Sequence, residues 1–334
     1  MEVSTLKHIH VIEMGGTISA KGLHRLDYKD YTSGIFQKDD FLEQIPELTS
    51  IAKLSFTTFS NISSTKITSK HWIELRNLFM NKLIEENIDG FVISHGTSTL
   101  EETAYFLHLT VPTEKPIVFV GAQRPFTALS SDAQLNLLQA IRVASSDEAI
   151  GKGVLVVLND EISSAREVTK GSTYRLHTFH SSSHGHLGII DIDHTVQFYR
   201  QPTRKHTVQS EFSQLEIKQL PEIEIIYSYA GANGFIIDAV IESGKYDGIV
   251  VAGTGAGLVS PNELASLQKA TEKGLFVVRS SRVGNGRVVP IKPYESQSFI
   301  SGDDLLPQKA RILLMLSLLK YNTSDEIQQV FHTH

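Results

Sequence analysis

Residues 90–109, GFVISHGTSTLEETAYFLHL, decide the fold class of this chain. The first five residues form an apolar run that is typical of a buried β-strand. Residues 95–97, His-Gly-Thr, then predict a turn, and residues 99–109 have the apolar spacing of an α-helix. Because a strand followed directly by a helix is the building unit of parallel sheets, this stretch predicts an α/β protein.

The same unit recurs along the chain. Further strands are predicted at residues 8–14, 116–120, 154–158, 223–227, 248–251 and 275–278. Further helices are predicted at residues 70–87, 131–145, 235–243, 262–273 and 308–321, with Asp132 as a candidate cap of the second. Right-handed crossovers between such strands predict a doubly wound sheet, in which ligands bind beyond the carboxyl ends of the strands.

Residues 201–220 interrupt this alternation, because they begin with the polar and basic run QPTRKH and show weak periodicity. The length of 334 residues suits two domains, each with its own core. We therefore predict a larger N-terminal domain at residues 1–200, with a doubly wound and mostly parallel sheet. We also predict a linker at residues 201–220 and a smaller C-terminal α/β domain at residues 221–334.

The composition excludes several classes of protein. Hydrophobic residues make up 41% and charged residues 20%, and the net charge of -6 offers no basic surface for nucleic acid. The absence of cysteine excludes disulfides, zinc–thiolate sites and a cysteine nucleophile. The N-terminal residues lack a secretory signal pattern, and no apolar run is long enough to cross a bilayer. We expect a cytoplasmic protein without a membrane partner.

Two strands end in glycine followed by threonine, and these turns are candidates for chemistry. Thr17 and Thr97 each present a hydroxyl just beyond a strand, although a glycine turn is also a common structural feature. A hydroxyl nucleophile requires a base near neutral pH. The candidates are Lys170, Lys66, Tyr31 and the histidines.

A histidine-rich tract, residues 177–186, raises the question of zinc, because clustered imidazoles can bind it. The tract has no cysteine and reads as a loop around its three consecutive serines. We expect a surface or subunit-contact loop and no metal site.

Taken together and in order, the motifs resemble those of the bacterial-type L-asparaginases, which include asparaginase–glutaminases, and the resemblance covers nearly the whole chain. They are residues 15–18 (GGTI), 95–104 (HGTSTLEETA), 121–125 (GAQRP), 154–160 (VLVVLND), 166–170 (REVTK), 204–207 (RKHT) and 278–283 (VRSSRV). The resemblance implies the two-domain α/β fold, no cofactor, and a homotetramer, a dimer of dimers, with active sites at subunit contacts.

The resemblance also implies roles for individual residues. Thr17 matches the primary nucleophile, Tyr31 the tyrosine of a flexible lid, and Thr97 and Lys170 the second threonine and the lysine of the family's triad. Ser64 matches a serine that binds the substrate's α-carboxylate. Thr17 would attack a side-chain amide and release ammonia, and the order in which the two threonines act is left open. The predicted substrate-binding residues are Ser64, Thr65, Gly96, Ser98 and Ala122.

The sequence departs from the family's pattern in three places, which involve four residues. Ser98 stands where the family has an aspartate that binds the α-ammonium, and Ala256 stands where many members have an asparagine. Thr65 and Lys66 replace residues that are commonly polar and acidic. Because an unpaired buried ammonium is costly, L-asparagine is expected to bind poorly. Loss of a carboxylate beside Lys170 should also make its ammonium easier to deprotonate.

The motifs, the family resemblance and the departures from it leave three candidate functions. The first is an asparaginase-type amidohydrolase with an altered amine pocket. Its substrate could instead be an amide that bears a carboxylate but no free α-amine, such as succinamate or an N-acylated asparagine. The second is a non-catalytic sensor of small molecules on the same fold. The third, dinucleotide binding, is disfavoured because residues 15–17 lack the Gly-x-Gly-x-x-Gly pattern.

Overall fold

A computed structural model describes residues 6–85, 87–181, 183–295 and 297–334. The chain forms two compact units, of which the first ends at Leu215 and the second begins at Glu216. Residues 201–215, which the sequence assigned to a linker, therefore cluster with the first unit. Arg76 contributes to this attachment, because its buried guanidinium donates hydrogen bonds to the carbonyl oxygens of Ser213 and Leu215.

The first unit contains one large sheet and two short pairs of strands. Its strands are β1 (His8–Glu13), β2 (Lys21–Gly22), β3 (Tyr31–Thr32), β4 (Lys53–Thr58), β5 (Gly90–Ser94), β6 (Ile117–Val120), β7 (Val154–Leu158), β8 (Glu161–Ser164), β9 (Thr169–Lys170), β10 (Phe179–His180), β11 (Gly188–Ile190) and β12 (Val196–Phe198). The large sheet has the order β12-β11-β8-β7-β6-β5-β1-β4. The parallel part of this sheet consists of β7, β6, β5, β1 and β4. Strands β8, β11 and β12 extend the sheet beyond β7 with antiparallel pairing. The predicted larger, mostly parallel sheet is confirmed.

The helices of the first unit are α1 (Lys38–Gln44), α2 (Leu48–Ile51), α3 (Ser69–Leu83), α4 (Leu100–Thr110) and α5 (Ala133–Ala144). Helix α5 packs on β5, β6 and β7. Asp132 immediately precedes α5, but its side chain does not cap the helix. The predicted cap is wrong because the carboxylate accepts hydrogen bonds from the backbone N–H groups of Gln123 and Arg124. Asp132 thereby fixes the turn that follows β6.

The second unit is a smaller α/β unit, as predicted. Its strands β13 (Ile223–Tyr227), β14 (Gly248–Gly253), β15 (Phe276–Ser281) and β16 (Ile300–Ser301) form a parallel sheet in that order. Its helices are α6 (Phe235–Ser243), α7 (Pro261–Glu272), α8 (Lys292–Glu295), α9 (Pro307–Ser317) and α10 (Ser324–Thr333). Ser260 and Glu263 form a capping box at the start of α7. Ala256 lies exposed in the turn between Thr254 and Leu258.

The centre of the large sheet forms the core of the first unit. Every residue of β5, β6 and β7 is buried, as expected for strands covered on both faces. This rigid centre positions the turns that follow these strands. Among the helices of the described residues, none combines the length and the hydrophobicity that a membrane span requires.

Two buried histidines should make the first unit sensitive to acid. Burial lowers the pKa of both His10 and His95 to about 4, whereas an unfolded histidine titrates near 6.5. The unfolded chain therefore binds more protons between these values. The free energy of unfolding should fall as the pH drops through this window, by up to about 1.4 kcal/mol per pH unit for each histidine. Burial also raises the pKa of Glu13. The folded chain therefore binds up to one more proton than the unfolded chain at this group, which opposes the loss of stability at low pH.

Urea unfolding between about pH 7 and pH 4.5 measures this dependence. The variant His10→Gln should reduce proton uptake on unfolding by close to one. A variant with the same pH slope as the parent chain would contradict the assignment.

Candidate active site

Two glycine turns bring two threonines to the same edge of the large sheet. Strands β1 and β5 are parallel neighbours, so their carboxyl ends share this edge. Gly15 and Gly16 have φ angles of 86° and 89°, in the left-handed region that glycine adopts without strain. A Cβ on Gly16 would lie 2.4 Å from the Cα of Gly96. Because only glycine permits this approach, the two turns pack together and are followed by Thr17 and Thr97.

Each threonine hydroxyl is paired with a different polar side chain. Thr17 Oγ1 lies 2.8 Å from the hydroxyl oxygen of Tyr31. Lys170 Nζ donates a hydrogen bond to Thr97 Oγ1 over 2.7 Å. The threonines are only 8% and 6% exposed, so little water competes for these bonds. Tyr31 belongs to β3 and Lys170 to β9, two short strands outside the large sheet.

All four predicted catalytic residues line one cavity of about 660 Å³. Its lining consists of Gly16, Thr17, Lys29, Tyr31, Ser33, Ser63, Ser64, Gly96, Thr97, Ser98, Gln123, Lys170, Thr173 and Tyr174. Ser64, one of the lining residues, packs tightly against Gly96, since a Cβ on Gly96 would lie 2.7 Å from Ser64 Oγ. Thr99 Oγ1 fixes the backbone of Ser64 by donating a hydrogen bond to its carbonyl oxygen over 2.8 Å.

Two predicted substrate-binding residues lie outside this lining. Thr65 is exposed, and its hydroxyl oxygen lies 2.9 Å from Ser63 Oγ. Ala122 is fully buried in the hydrophobic core of the first unit. The next residue, Gln123, lines the cavity in place of Ala122.

Burial lowers the pKa of Lys170, and the negative charge of Glu101 opposes this effect. A lowered pKa of Lys170 was expected because Ser98 replaces a carboxylate beside it. The main cause in the structure is instead the loss of water around the ammonium. Glu101 also provides a buried carboxylate, which sequence reasoning had not placed near the lysine. A lysine with a lowered pKa loses its proton more readily near neutral pH and can then accept one.

Sequence reasoning missed two residues whose positions carried a signal. Glu101 lies in the first turn of the predicted helix at residues 99–109, directly after the turn that carries Thr97, so its carboxylate belongs to the same end of the strand. Gln123 follows the glycine turn after β6, the next parallel strand beyond β5. A polar side chain at that place lies at the same edge of the sheet as Thr17 and Thr97.

The histidine-rich tract lies partly on a short strand, because His180 belongs to β10. Ser182 lies outside the described residues. Among the residues that the structure describes, no group of three or more histidine, aspartate or glutamate side chains is placed to hold a metal ion.

Comparison with known families and proteins assigns both units. Residues 8–204 match the family model described as "Asparaginase, N-terminal", and residues 222–331 match "Glutaminase/Asparaginase C-terminal domain". The chain is 41% identical over 333 residues to L-asparaginase 2 of Bacillus subtilis, covering 100% of this chain and 88% of that protein. It is 40% identical to a probable periplasmic L-asparaginase of Haemophilus influenzae, covering 98% and 93% of the two chains.

A solved structure shows the same fold. The crystal structure of a probable cytoplasmic L-asparaginase from Campylobacter jejuni superposes with a TM-score of 0.94 at 38% identity. The match covers 98% of this chain and 100% of the other. With both units matched and sequence identity extending along the whole length, the chain belongs to the L-asparaginase family of amidohydrolases, which act on amide C–N bonds.

Proposed function

We propose that this amidohydrolase releases ammonia from a side-chain amide through a covalent ester on Thr17. The observation that supports it is the pair of hydroxyl contacts within one cavity, Thr17 with Tyr31 at 2.8 Å and Thr97 with Lys170 at 2.7 Å. Each pairing joins a potential nucleophile to a group that can accept or relay its proton.

The reaction begins when Thr17 Oγ1 adds to the carbonyl carbon of the amide, with Tyr31 orienting the hydroxyl and taking part in its proton transfer. Backbone N–H groups at the glycine turns stabilise the developing oxyanion, helped by the positive end of α4. Thr97 and Lys170 relay a proton to the leaving nitrogen, the C–N bond breaks, and ammonia departs. Water then hydrolyses the ester and restores the Thr17 hydroxyl.

The charge of Glu101 gives a test of the role of Lys170 in this relay. If the neutral amine accepts a proton, kcat/KM should rise with pH through the pKa of Lys170. Because Glu101 raises that pKa, Glu101→Gln should move the rise to lower pH. The matched control is Glu102→Gln, on the same helix turn, which should leave the profile in place. A move to higher pH, or equal shifts in both variants, would refute the role.

The charges around the cavity support a substrate without a free α-amine. Among the described residues that line it, Lys29 and Lys170 are cationic and none is an aspartate or a glutamate. Ser98, which lines the cavity, offers a neutral hydroxyl where a carboxylate would pair an ammonium. An ammonium brought here would lose water without meeting a carboxylate in the lining, whereas a carboxylate would meet two cationic side chains there. We therefore propose succinamate-like or N-acylated amides as preferred substrates.

A comparison of kcat/KM for L-asparagine, L-glutamine, N-acetyl-asparagine and succinamate tests this preference. We expect succinamate or N-acetyl-asparagine to exceed L-asparagine by at least about tenfold, a difference of about 1.4 kcal/mol in transition-state stabilisation. Ser98→Asp should reverse the order, and the neutral isostere Ser98→Asn should not. The preference is wrong if L-asparagine gives the highest value in the parent chain.

We propose in addition that the protein assembles as a homotetramer in the cytoplasm. Exposed apolar side chains in the second unit, at Tyr227, Tyr229, Phe235 and Ile236, support assembly, because such surface is commonly covered by a partner. The relative in Campylobacter jejuni is described as cytoplasmic and that in Haemophilus influenzae as periplasmic. Sedimentation velocity and cell fractionation measure the two properties.

A further inference from the structure

A second cavity of about 510 Å³ adjoins the proposed active site. It shares three lining residues with the first cavity, Lys29, Gln123 and Tyr174. The rest of its wall comes mainly from residues 23–30, the segment that leads into Tyr31. The reaction proposed above, which releases only ammonia, gives this space no role.

The shared boundary indicates which part of a substrate faces the second cavity. Ser64, proposed for the substrate's carboxylate, and Ser98, at the position of the α-amine, line only the first cavity. A substrate with its acid end there and its carbonyl carbon at Thr17 has one remaining direction of growth, through the amide nitrogen. The second cavity therefore suits a group carried on that nitrogen.

Gln123 lies at the junction between the two cavities and carries an unsatisfied polar group. Its side chain is only 8% exposed, and its Nε2 atom is buried without a hydrogen-bond partner among the described residues. The residue is held in place, because its backbone N–H donates to the Asp132 carboxylate over 2.9 Å. A buried donor without an acceptor is unfavourable.

The wall of the second cavity is suited to an aromatic group. Leu23, Leu26 and Tyr28 contribute exposed apolar surface, and Tyr174 is 74% exposed at the boundary. The Arg124 guanidinium lies 5.4 Å from the centre of the Tyr28 ring. Leucine and tyrosine side chains around a concave site favour a planar apolar ligand.

From these observations we propose that the enzyme also hydrolyses secondary amides and releases an aromatic amine into the second cavity. This inference rests on the proposed threonine mechanism and follows the same steps. A bond forms between Thr17 Oγ1 and the carbonyl carbon, the C–N bond breaks, and the relayed proton leaves with the amine. Water hydrolyses the ester, so that amide and water give a carboxylic acid and an aryl amine.

The test compares succinamate with its N-phenyl derivative, using ammonia release for the first and aniline release for the second. We expect the parent enzyme to hydrolyse both. Leu26→Trp, which fills the second cavity from an exposed position, should lower kcat/KM for the anilide by at least about tenfold and change that for succinamate by less than about twofold. The matched control is Leu135→Trp, an exposed leucine on α5 outside both cavities, which should change neither.

Each outcome decides the proposal. Hydrolysis of succinamate without hydrolysis of the anilide would overturn it and leave the threonine mechanism intact. Equal effects of Leu26→Trp on the two substrates, or equal effects of the two tryptophan variants on the anilide, would also overturn it. If L-asparagine, succinamate and the anilide all remain intact, the proposed function itself fails, and the proposal fails with it.

Discussion

Thr17→Ala is expected to lower kcat by about 10⁴-fold or more while leaving the fold intact. The hydroxyl that this variant lacks is the atom that forms the covalent bond to the substrate, so no other group can replace it directly. The shape of the preceding turn depends on Gly16 and Gly96, and replacing threonine by alanine removes side-chain atoms without adding any. Ammonia release under saturating substrate measures the loss, and thermal unfolding verifies the fold.

Thr17→Ser is the matched control, because it retains a hydroxyl at the same place and should keep much of the activity. An alanine variant with activity within about tenfold of the parent would remove Thr17 from the role of nucleophile. A parent chain that binds small carboxylates and releases no ammonia would instead support the non-catalytic sensor.

Lys170→Met has the second largest expected effect, a loss of about 10²- to 10⁴-fold in kcat. Methionine keeps most of the length of the side chain but cannot exchange a proton with Thr97, so the 2.7 Å contact is lost. The loss should fall mainly on kcat, because a proton relay acts in the transition state and not in substrate binding.

The control for the lysine variant is Lys66→Met. Sequence reasoning proposed Lys66 as an alternative base, and the structure places its side chain exposed and outside the lining of the site cavity. Its replacement should change kcat by less than about threefold. A larger effect of Lys66→Met than of Lys170→Met would show that the base was assigned to the wrong lysine.

The buried centre of the fold was predictable because burial on both faces leaves an uninterrupted apolar run. Strands β5 and β7 begin and end at the predicted residues, 90–94 and 154–158. The edge strand β4 was missed, because only one side of it is paired and its side chains are largely half-exposed. Strands β8 and β11 were missed because they are short and alternate little.

Helix α10 was overlooked although it carried a usable signal. Thr323 accepts a hydrogen bond from the backbone N–H of Glu326, three residues later. Ile327, Val330 and Phe331 are its buried residues, at helical spacing. The signals at both the start and the buried face of this helix are therefore present in the sequence.

The candidate site was predictable to a different degree for each residue. The glycine turns indicated Thr17 and Thr97 from local pattern alone, because each turn follows an apolar strand. The structure adds that these two strands are neighbours in the parallel sheet. Lys170 is 73 residues from Thr97 in sequence, so its partner could be proposed only through the family resemblance. The positions of Glu101 and Gln123 carried a sequence signal, but the burial of the Glu101 carboxylate and the unpaired buried amide nitrogen of Gln123 appear only in the structure.

The site of the covalent bond is the most direct test of the mechanism. Rapid acid quenching during turnover of succinamate, followed by peptide mapping with mass spectrometry, locates the acyl group on the chain. We predict a succinyl ester on Thr17 that is absent from Thr17→Ala and decays as product forms. An ester on Thr97, or turnover without any acylated peptide, would contradict the assignment of Thr17 as the nucleophile.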